Sequence, residues 1–213
     1  MTAPPLTDRV ELRVATEADV GAISRIMNYP PEPPTAALFG SDRASRLGDL
    51  LVREGVSISL AHTTVAVLDS AVVGVMECGS QHAMRMTAGL LLRLLPRMLV
   101  ILGPVAPRAF YGLWLRQRVQ FEPVPGAFGV AELYVDELLR NHGIGGLLLQ
   151  HADALARRGG SSRMCLETGI TNPARRLYER FGYVVVATKA SARYERMSGS
   201  PGRVLMVKDL RTP

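Results

Sequence analysis

The sequence is poor in cysteine and, over one long interval, has no acid at all. Its two cysteines, Cys78 and Cys165, are too few for a disulfide framework and form no C-x-x-C metal or redox pair. That fits a reducing compartment. The opening MTAPPLTDRVEL lacks a basic segment followed by an apolar run, so no secretory signal is read there and a cytoplasmic location is expected. Between Glu77 and Glu122 no acidic residue occurs, yet the interval holds Arg85, Arg93, Arg97, Arg108, Arg116 and Arg118. Without those six, the bases fall from 25 to the number of acids, 19. The net charge of +6 is therefore local. A chain built to coat nucleic acid spreads basic residues over a broad face and interleaves aromatics, so no nucleic-acid partner is expected. Nor is there a transmembrane run: a span needs about 20 mainly apolar residues, and Arg93, Pro96 and Arg97 interrupt the longest stretch.

What is present suits one well-buried core. The chain has 213 residues, 47% of them apolar, and is read as a single domain over 1–213 with a helical insertion at about 82–118. VELRVAT alternates as a half-buried strand, and Thr16-Glu17-Ala18-Asp19 caps a helix running toward Met27, stopped by prolines 30, 31, 33 and 34. ASRLGDLLVREG is a second helix. HTTVAVLD and AVVGVMECG form a hairpin turning at Ser70. After the basic segment come GVAELYVD as a strand, GIGGLLLQHADALARR as a helix, RMCLETG as a strand, PARRLYERFG as a helix, and the strands YVVVATKA and GRVLMVKDL. In the central helix Ile144, Leu148, Ala152 and Leu155 share a face. This order implies a mixed α/β sheet.

The stretch LLRNHGIGG lies between a strand and a helix. Glycines admit a ligand close to the backbone, unpaired N–H groups point outward at a helix start, and the helix dipole favours an anion. A diphosphate would satisfy all three. The nucleotide P-loop is excluded, because no lysine follows these glycines, and the dinucleotide fingerprint fails because Leu148 occupies its last glycine position. A turn that merely needs positive backbone dihedrals remains the plain alternative.

The run LYVDELLRNHGIGGLLL resembles the signature of the GNAT acetyltransferase superfamily, [QR]-x-x-G-x-[GA] at a helix start, here Arg140-x-x-Gly143-x-Gly145. Downstream, LETGITNPARRLYERFGY resembles the same family's L-Y-x-x-x-G-[FY] element, here Leu177-Tyr178 with Gly182-Tyr183. The two stand in order, about 35 residues apart. Close resemblance covers roughly 130–185. It implies the GNAT fold: a mostly antiparallel sheet, one parallel strand pair that splays, and a helical insertion before the cofactor-binding strand.

The resemblance also implies acetyl-CoA as cosubstrate, with no metal. The backbone of Leu133, Tyr134 and Val135 would pair with the pantetheine arm. The amides of Arg140, Asn141, His142, Gly143, Ile144, Gly145 and Gly146 would wrap the pyrophosphate, with a charge-assisted contact from Arg140. The reaction implied is acyl transfer from a thioester to an acceptor, most often an amine. An alkylammonium has a pKa of about 10.4 and must lose a proton before it attacks. Glu132 is the favoured base, with Glu167 on the neighbouring strand the other candidate. A strand N–H at Val135 would stabilise the carbonyl oxygen as it gains charge, and Tyr178, also a cofactor contact, would protonate the departing thiolate. His142, inside the loop, reads as a solvated side chain. The family's asparagine seven residues before the tyrosine is here Thr171. The adjacent Asn172, followed by Pro173, reads first as a helix cap and second as a cofactor contact.

The basic segment reads as two helices divided at Gly103-Pro104. Arg85, Arg93 and Arg97 fall within one third of the first wheel, and Phe110, Leu113, Trp114 and Gln117 share a face of the second. Packing against the sheet or another subunit is the plain reading. A lid over the acceptor, apolar inside and arginine-bearing, is the functional one. The expected partner is a small-molecule or peptide amine, with a second copy of the chain as a further candidate. The alternative function is a non-catalytic CoA-binding sensor or regulatory module.

Overall fold

The fold is described from a computed structural model, in which residues 5–28, 40–80 and 88–211 are defined. Seven strands form one sheet in the order β1-β2-β3-β4-β5-β7-β6. They span Glu11–Val14, Thr63–Leu68, Ala71–Ser80, Phe128–Val135, Arg163–Gly169, Val184–Ala190 and Gly202–Asp209. Only β4 and β5 run parallel; every other neighbouring pair is antiparallel. The β2–β3 hairpin turns on Asp69 and Ser70, with φ of 48° and 67°. That is the left-handed pair a two-residue turn needs to match strand twist. Arg9 holds the Asp69 carboxylate at 2.5 Å.

Two helices, α1 (Val20–Asn28) and α2 (Ser41–Arg53), cover one face of the sheet. Thr16 begins the turn into α1: its N–H and its hydroxyl each donate to the Asp19 carboxylate at 2.8 Å. Arg13 reaches the same carboxylate from β1 with two bonds of 2.7 Å. Ile23, Ile26, Val65, Val72 and Val75 pack beneath, and Ser24 of α1 donates to Asp49 of α2 at 2.6 Å. The prolines expected to stop α1 lie outside the described residues. On the opposite face α5 (Ile144–Arg158) buries Ile144, Leu148, Leu149 and Ala152 against Ala66, Met76, Val130 and Met164.

The insertion consists of α3 (Ala88–Leu102), a 3-10 turn at Gly103–Val105, and α4 (Ala106–Arg118). From Leu92 to Arg118 it is long and apolar enough to cross a membrane by length and composition. Here it bends at Gly103 and packs through Leu94, Met98, Leu102 and Ala109 onto Ala44 and Leu47 of α2. Arg85 lies outside the described residues, while Arg93 and Arg97 both pair with Glu54. The inward face of α4 differs from the expected one. Ala106, Ala109, Gly112 and Leu115 are buried, whereas Trp114 is 46% exposed and Gln117 faces solvent. Phe110 and Leu113 of the expected face still pack partly against the same cluster, so the helix is turned by part of a wheel and Trp114 and Gln117 come to its outer side.

Two further helices occur among the described residues, α6 (Arg175–Arg180) and α7 (Ala192–Ser198). The second is absent from the sequence reading, which runs from one strand to the next. Its ends carry ordinary signals. The Ser191 side chain accepts from the Tyr194 N–H at 3.3 Å, and Gly199 closes the helix at φ 76°.

Candidate active site

The parallel pairing of β4 with β5 is brief. Phe128, Gly129 and Val130 pair with Met164, Cys165 and Leu166, and beyond Val130 the two strands share no rungs. Just there β4 is irregular against β3, because Cys78 faces Val130 while Glu77 already faces Glu132. Ala131 is the extra residue. Such a bulge turns every later side chain to the other face. Val130 packs on the α5 side, and after the bulge Leu133 and Val135 do so as well, while Tyr134 joins the α1 side.

The bulge also sets where the backbone points. The Asp136 N–H donates to the Val73 carbonyl at 2.9 Å, so Asp136 and, by antiparallel alternation, Tyr134 and Glu132 spend their backbone groups on β3. Leu133 and Val135 turn theirs the other way, toward the gap β5 has vacated. Of the three residues expected to offer backbone to the pantetheine, Tyr134 is thus corrected: its N–H and C=O belong to the ladder with Val75.

At the end of β4, Asp136 accepts from the Leu138 N–H at 3.2 Å and from Arg25 of α1 at 2.8 Å. The Arg25 guanidinium holds this carboxyl below its ordinary range. A 3-10 turn, Glu137–Leu139, then delivers the loop. Asn141 has φ 64° and Gly143 φ 86°. The first α-helical bond of α5 runs from the Leu147 N–H to the Gly143 carbonyl at 3.0 Å, so the N–H groups of Ile144, Gly145 and Gly146 have no acceptor within the helix. This is the electropositive end of a helix 15 residues long. Two of the glycines also serve packing. A Cβ on Gly145 would stand 3.1 Å from Leu177, and one on Gly146 2.9 Å from Phe181, both beside α6.

The side chains of Arg140, Asn141 and His142 are exposed. Arg140 donates through Nε to the Val135 carbonyl at 3.3 Å. Nδ1 of His142 lies 2.9 Å from the Arg140 carbonyl, a contact in which the ring donates. Tyr178 is 7% exposed and belongs to the same cluster as Leu133, Val135 and Ile144, its ring edge-on to Tyr183 at 6.2 Å. Both ends of the Asn172 amide are engaged. Oδ1 accepts from the Ala174 N–H at 2.9 Å and Nδ2 donates to the Thr168 hydroxyl at 2.8 Å.

Three glutamates gather on the α1 side of the sheet around the opening. Glu167 of β5 accepts from Arg203 and from the Phe121 N–H, each at 3.2 Å, which ties it to the return limb of the insertion. Glu132 stands on β4 directly opposite Glu77 of β3. Glu77 is 4% exposed, accepts from the Ser59 N–H at 2.7 Å, and is pushed above its ordinary value by burial. Sequence reasoning missed it, because only strand pairing places it beside Glu132. An acid within the otherwise apolar run VVGVMECG was the available signal.

Residues 105–185 match the family model of the GNAT acetyltransferase domain. Among solved structures the chain resembles a histone acetyltransferase HPA2 and related acetyltransferase from Corynebacterium glutamicum, at TM-score 0.61 and 21% identity over 96% of this chain and 98% of that one. It also resembles the PaiA N-acetyltransferase of Thermoplasma acidophilum in complex with coenzyme A, at TM-score 0.60 and 12% identity over 94% and 98%. A mosquito arylalkylamine N-acetyltransferase like 5b gives 0.52 and 20% over 94% and 99%. At these identities the likeness is one of fold. No curated protein sequence matches the chain significantly.

The matched segment spans the sheet opening between the two parallel strands and the glycine-rich helix start beside it. Over residues 105–185 the chain is thus similar to the GNAT acetyltransferase domain, and over nearly its whole length it shares the fold of the solved acetyltransferases.

Proposed function

We propose that the protein moves an acetyl group from acetyl-CoA to a primary amine. The observation that carries this reading is the opening between β4 and β5, where backbone groups of Leu133 and Val135 face the gap beside the N-terminus of α5, whose first N–H groups have no acceptor within the helix. A pantetheine arm laid there takes the place of the missing strand and pairs with those two residues. The pyrophosphate sits on the N–H groups that close the loop from Arg140 to Gly146.

The amine, deprotonated, attacks the thioester carbon; the C–N bond forms and the C–S bond breaks. The Val135 N–H donates to the carbonyl oxygen as charge develops on it. Glu132 takes the proton the nitrogen releases, directly or through water, and Tyr178 gives its phenolic proton to the departing sulfur. Glu77, directly opposite on β3, is raised above its ordinary pKa by burial and so carries less charge beside Glu132 than an exposed carboxylate would. Glu167, bound to Arg203, is structural. Transfer is direct. The thiols of Cys78 and Cys165 are buried and pushed up to about 11, which leaves neither ionised at neutral pH to relay the acetyl group.

The test is release of free coenzyme A thiol with a mixed panel of amines, run beside Glu132→Gln. Release that needs both the amine and Glu132 supports the reading. Protein that binds acetyl-CoA yet releases no thiol with any amine is a CoA-binding module instead.

A further inference from the structure

Helices α4 and α7 face each other across a cleft of about 360 Å³ lined by Arg108, Tyr111, Arg193, Arg196 and Met197. Each wall is a pair of residues three apart, Arg108 with Tyr111 on α4 and Arg193 with Arg196 on α7, and such pairs project from one side of a helix. Three guanidiniums thus converge on one space. Among the described residues none of the three makes a salt bridge, whereas Arg93, Arg97 and Arg203 all pair with glutamates. Like charges gathered without a counter-charge repel one another, and an anion relieves that repulsion. A guanidinium fork matches a carboxylate or phosphate with two parallel bonds, and the Tyr111 phenol O–H can add a further donor.

The cleft also has a position in the fold. Ala190, at the end of β6, pairs with Gly202, and Gly169, at the end of β5, pairs with Arg203. α7 connects β6 to β7 there, at the same end of the sheet as the C-terminal end of β5, the end toward which β4 and β5 open. We propose that this cleft binds a carboxylate or phosphate group and that the group belongs to the acyl acceptor, making the substrate an amine that also carries an anion. The second half rests on the acetyltransferase reading above; the first does not.

The chain has a single tryptophan, Trp114, which stacks on Tyr111 at 5.8 Å with Arg118 4.5 Å over its ring. Its fluorescence reports on the cleft without any activity. Inorganic phosphate titrated at low salt should give a saturable change that persists in saturating coenzyme A, since the loop on α5 is then filled. In the double variant Arg193→Gln/Arg196→Gln the affinity should fall by about tenfold or more, and Arg193→Lys/Arg196→Lys should recover part of it. No saturable change, a change that coenzyme A abolishes, or equal affinity in the glutamine variant overturns the site. Thiol release is then compared for O-phosphoethanolamine and ethanolamine. The phosphorylated amine should have the higher kcat/KM, and the advantage should shrink about tenfold in the glutamine variant while ethanolamine is unaffected. Phosphate binding without that discrimination overturns the assignment to the acceptor. Absence of release with any amine overturns the transferase reading and that assignment with it, while the fluorescence result still decides the anion site.

Discussion

Gly146 lacks a side chain for a reason that the glycine cluster alone does not reveal. The cluster reads as a phosphate loop, and Gly143, left-handed at φ 86°, is a true turn residue. Gly146 has ordinary helical backbone and is required because a Cβ would meet the Phe181 ring at 2.9 Å. Gly146→Ala should therefore cost about 1–3 kcal/mol in chemical denaturation, and Phe181→Leu in the same chain should recover part of it. If the ring is not the obstacle, the second change makes matters worse. Tyr178 calls for a kinetic test. Tyr178→Phe should slow thiol release by about a hundredfold or more at neutral pH, with acetyl-CoA affinity unchanged by calorimetry; full activity would remove it as the acid. Asn172 was legible as a cap, and its Oδ1 does accept from the Ala174 N–H. Its second bond, to Thr168, depends on β5 ending beside it.

At the scale of elements, the bulge at Ala131 decides which faces β4 presents. Strict alternation through GVAELYVD would put Glu132 and Tyr134 on the same side as Val130; the extra residue sends them to the α1 side and brings Glu132 opposite Glu77. Glu77→Gln, which copies the protonated side chain, should keep most of the activity, whereas Glu132→Gln should lose about a hundredfold. The pH dependence of stability separates the same groups. Arg13 above all lowers Asp19, so the contribution of that carboxylate is present above its ordinary value of 3.8 and is lost as pH falls below it. Asp19→Asn should flatten the fall in Tm in that acid range. Glu77 is raised by burial, so its effect has the opposite sign: the folded state keeps a proton that the unfolded chain gives up, and stability declines as pH rises past the ordinary 4.5. Glu77→Gln should raise Tm at neutral pH relative to pH 4; equal Tm at both would mean Glu77 ionises as usual.

At the scale of the molecule, the insertion is held by apolar packing more than by its charges. Leu94 is 1% exposed against α2, while Arg93 and Arg97 reach Glu54 with side chains 73% and 63% exposed. Leu94→Ala should cost about 2–5 kcal/mol. Glu54→Gln should cost less than about 1 kcal/mol. The reverse order in denaturation would mean that charge, and not the core shared with α2, anchors these helices.

Residue order alone determined the strands and helices that carry the proposed donor site, because strand, loop, glycines and helix are contiguous from Phe128 to Arg158 and their periods are local. It determined the resemblance to the acetyltransferase family for the same reason: both motifs are short and unbroken. Tertiary structure decided the rest. Leu133 and Val135 face the opening only because Asp136 pairs with Val73, Glu77 meets Glu132 only across two strands, and three arginines share a cleft only because α4 and α7, some 80 residues apart, pack together. Backbone direction, cross-strand neighbours and converging charge are properties of pairing and packing between distant segments, which no local pattern of residues encodes.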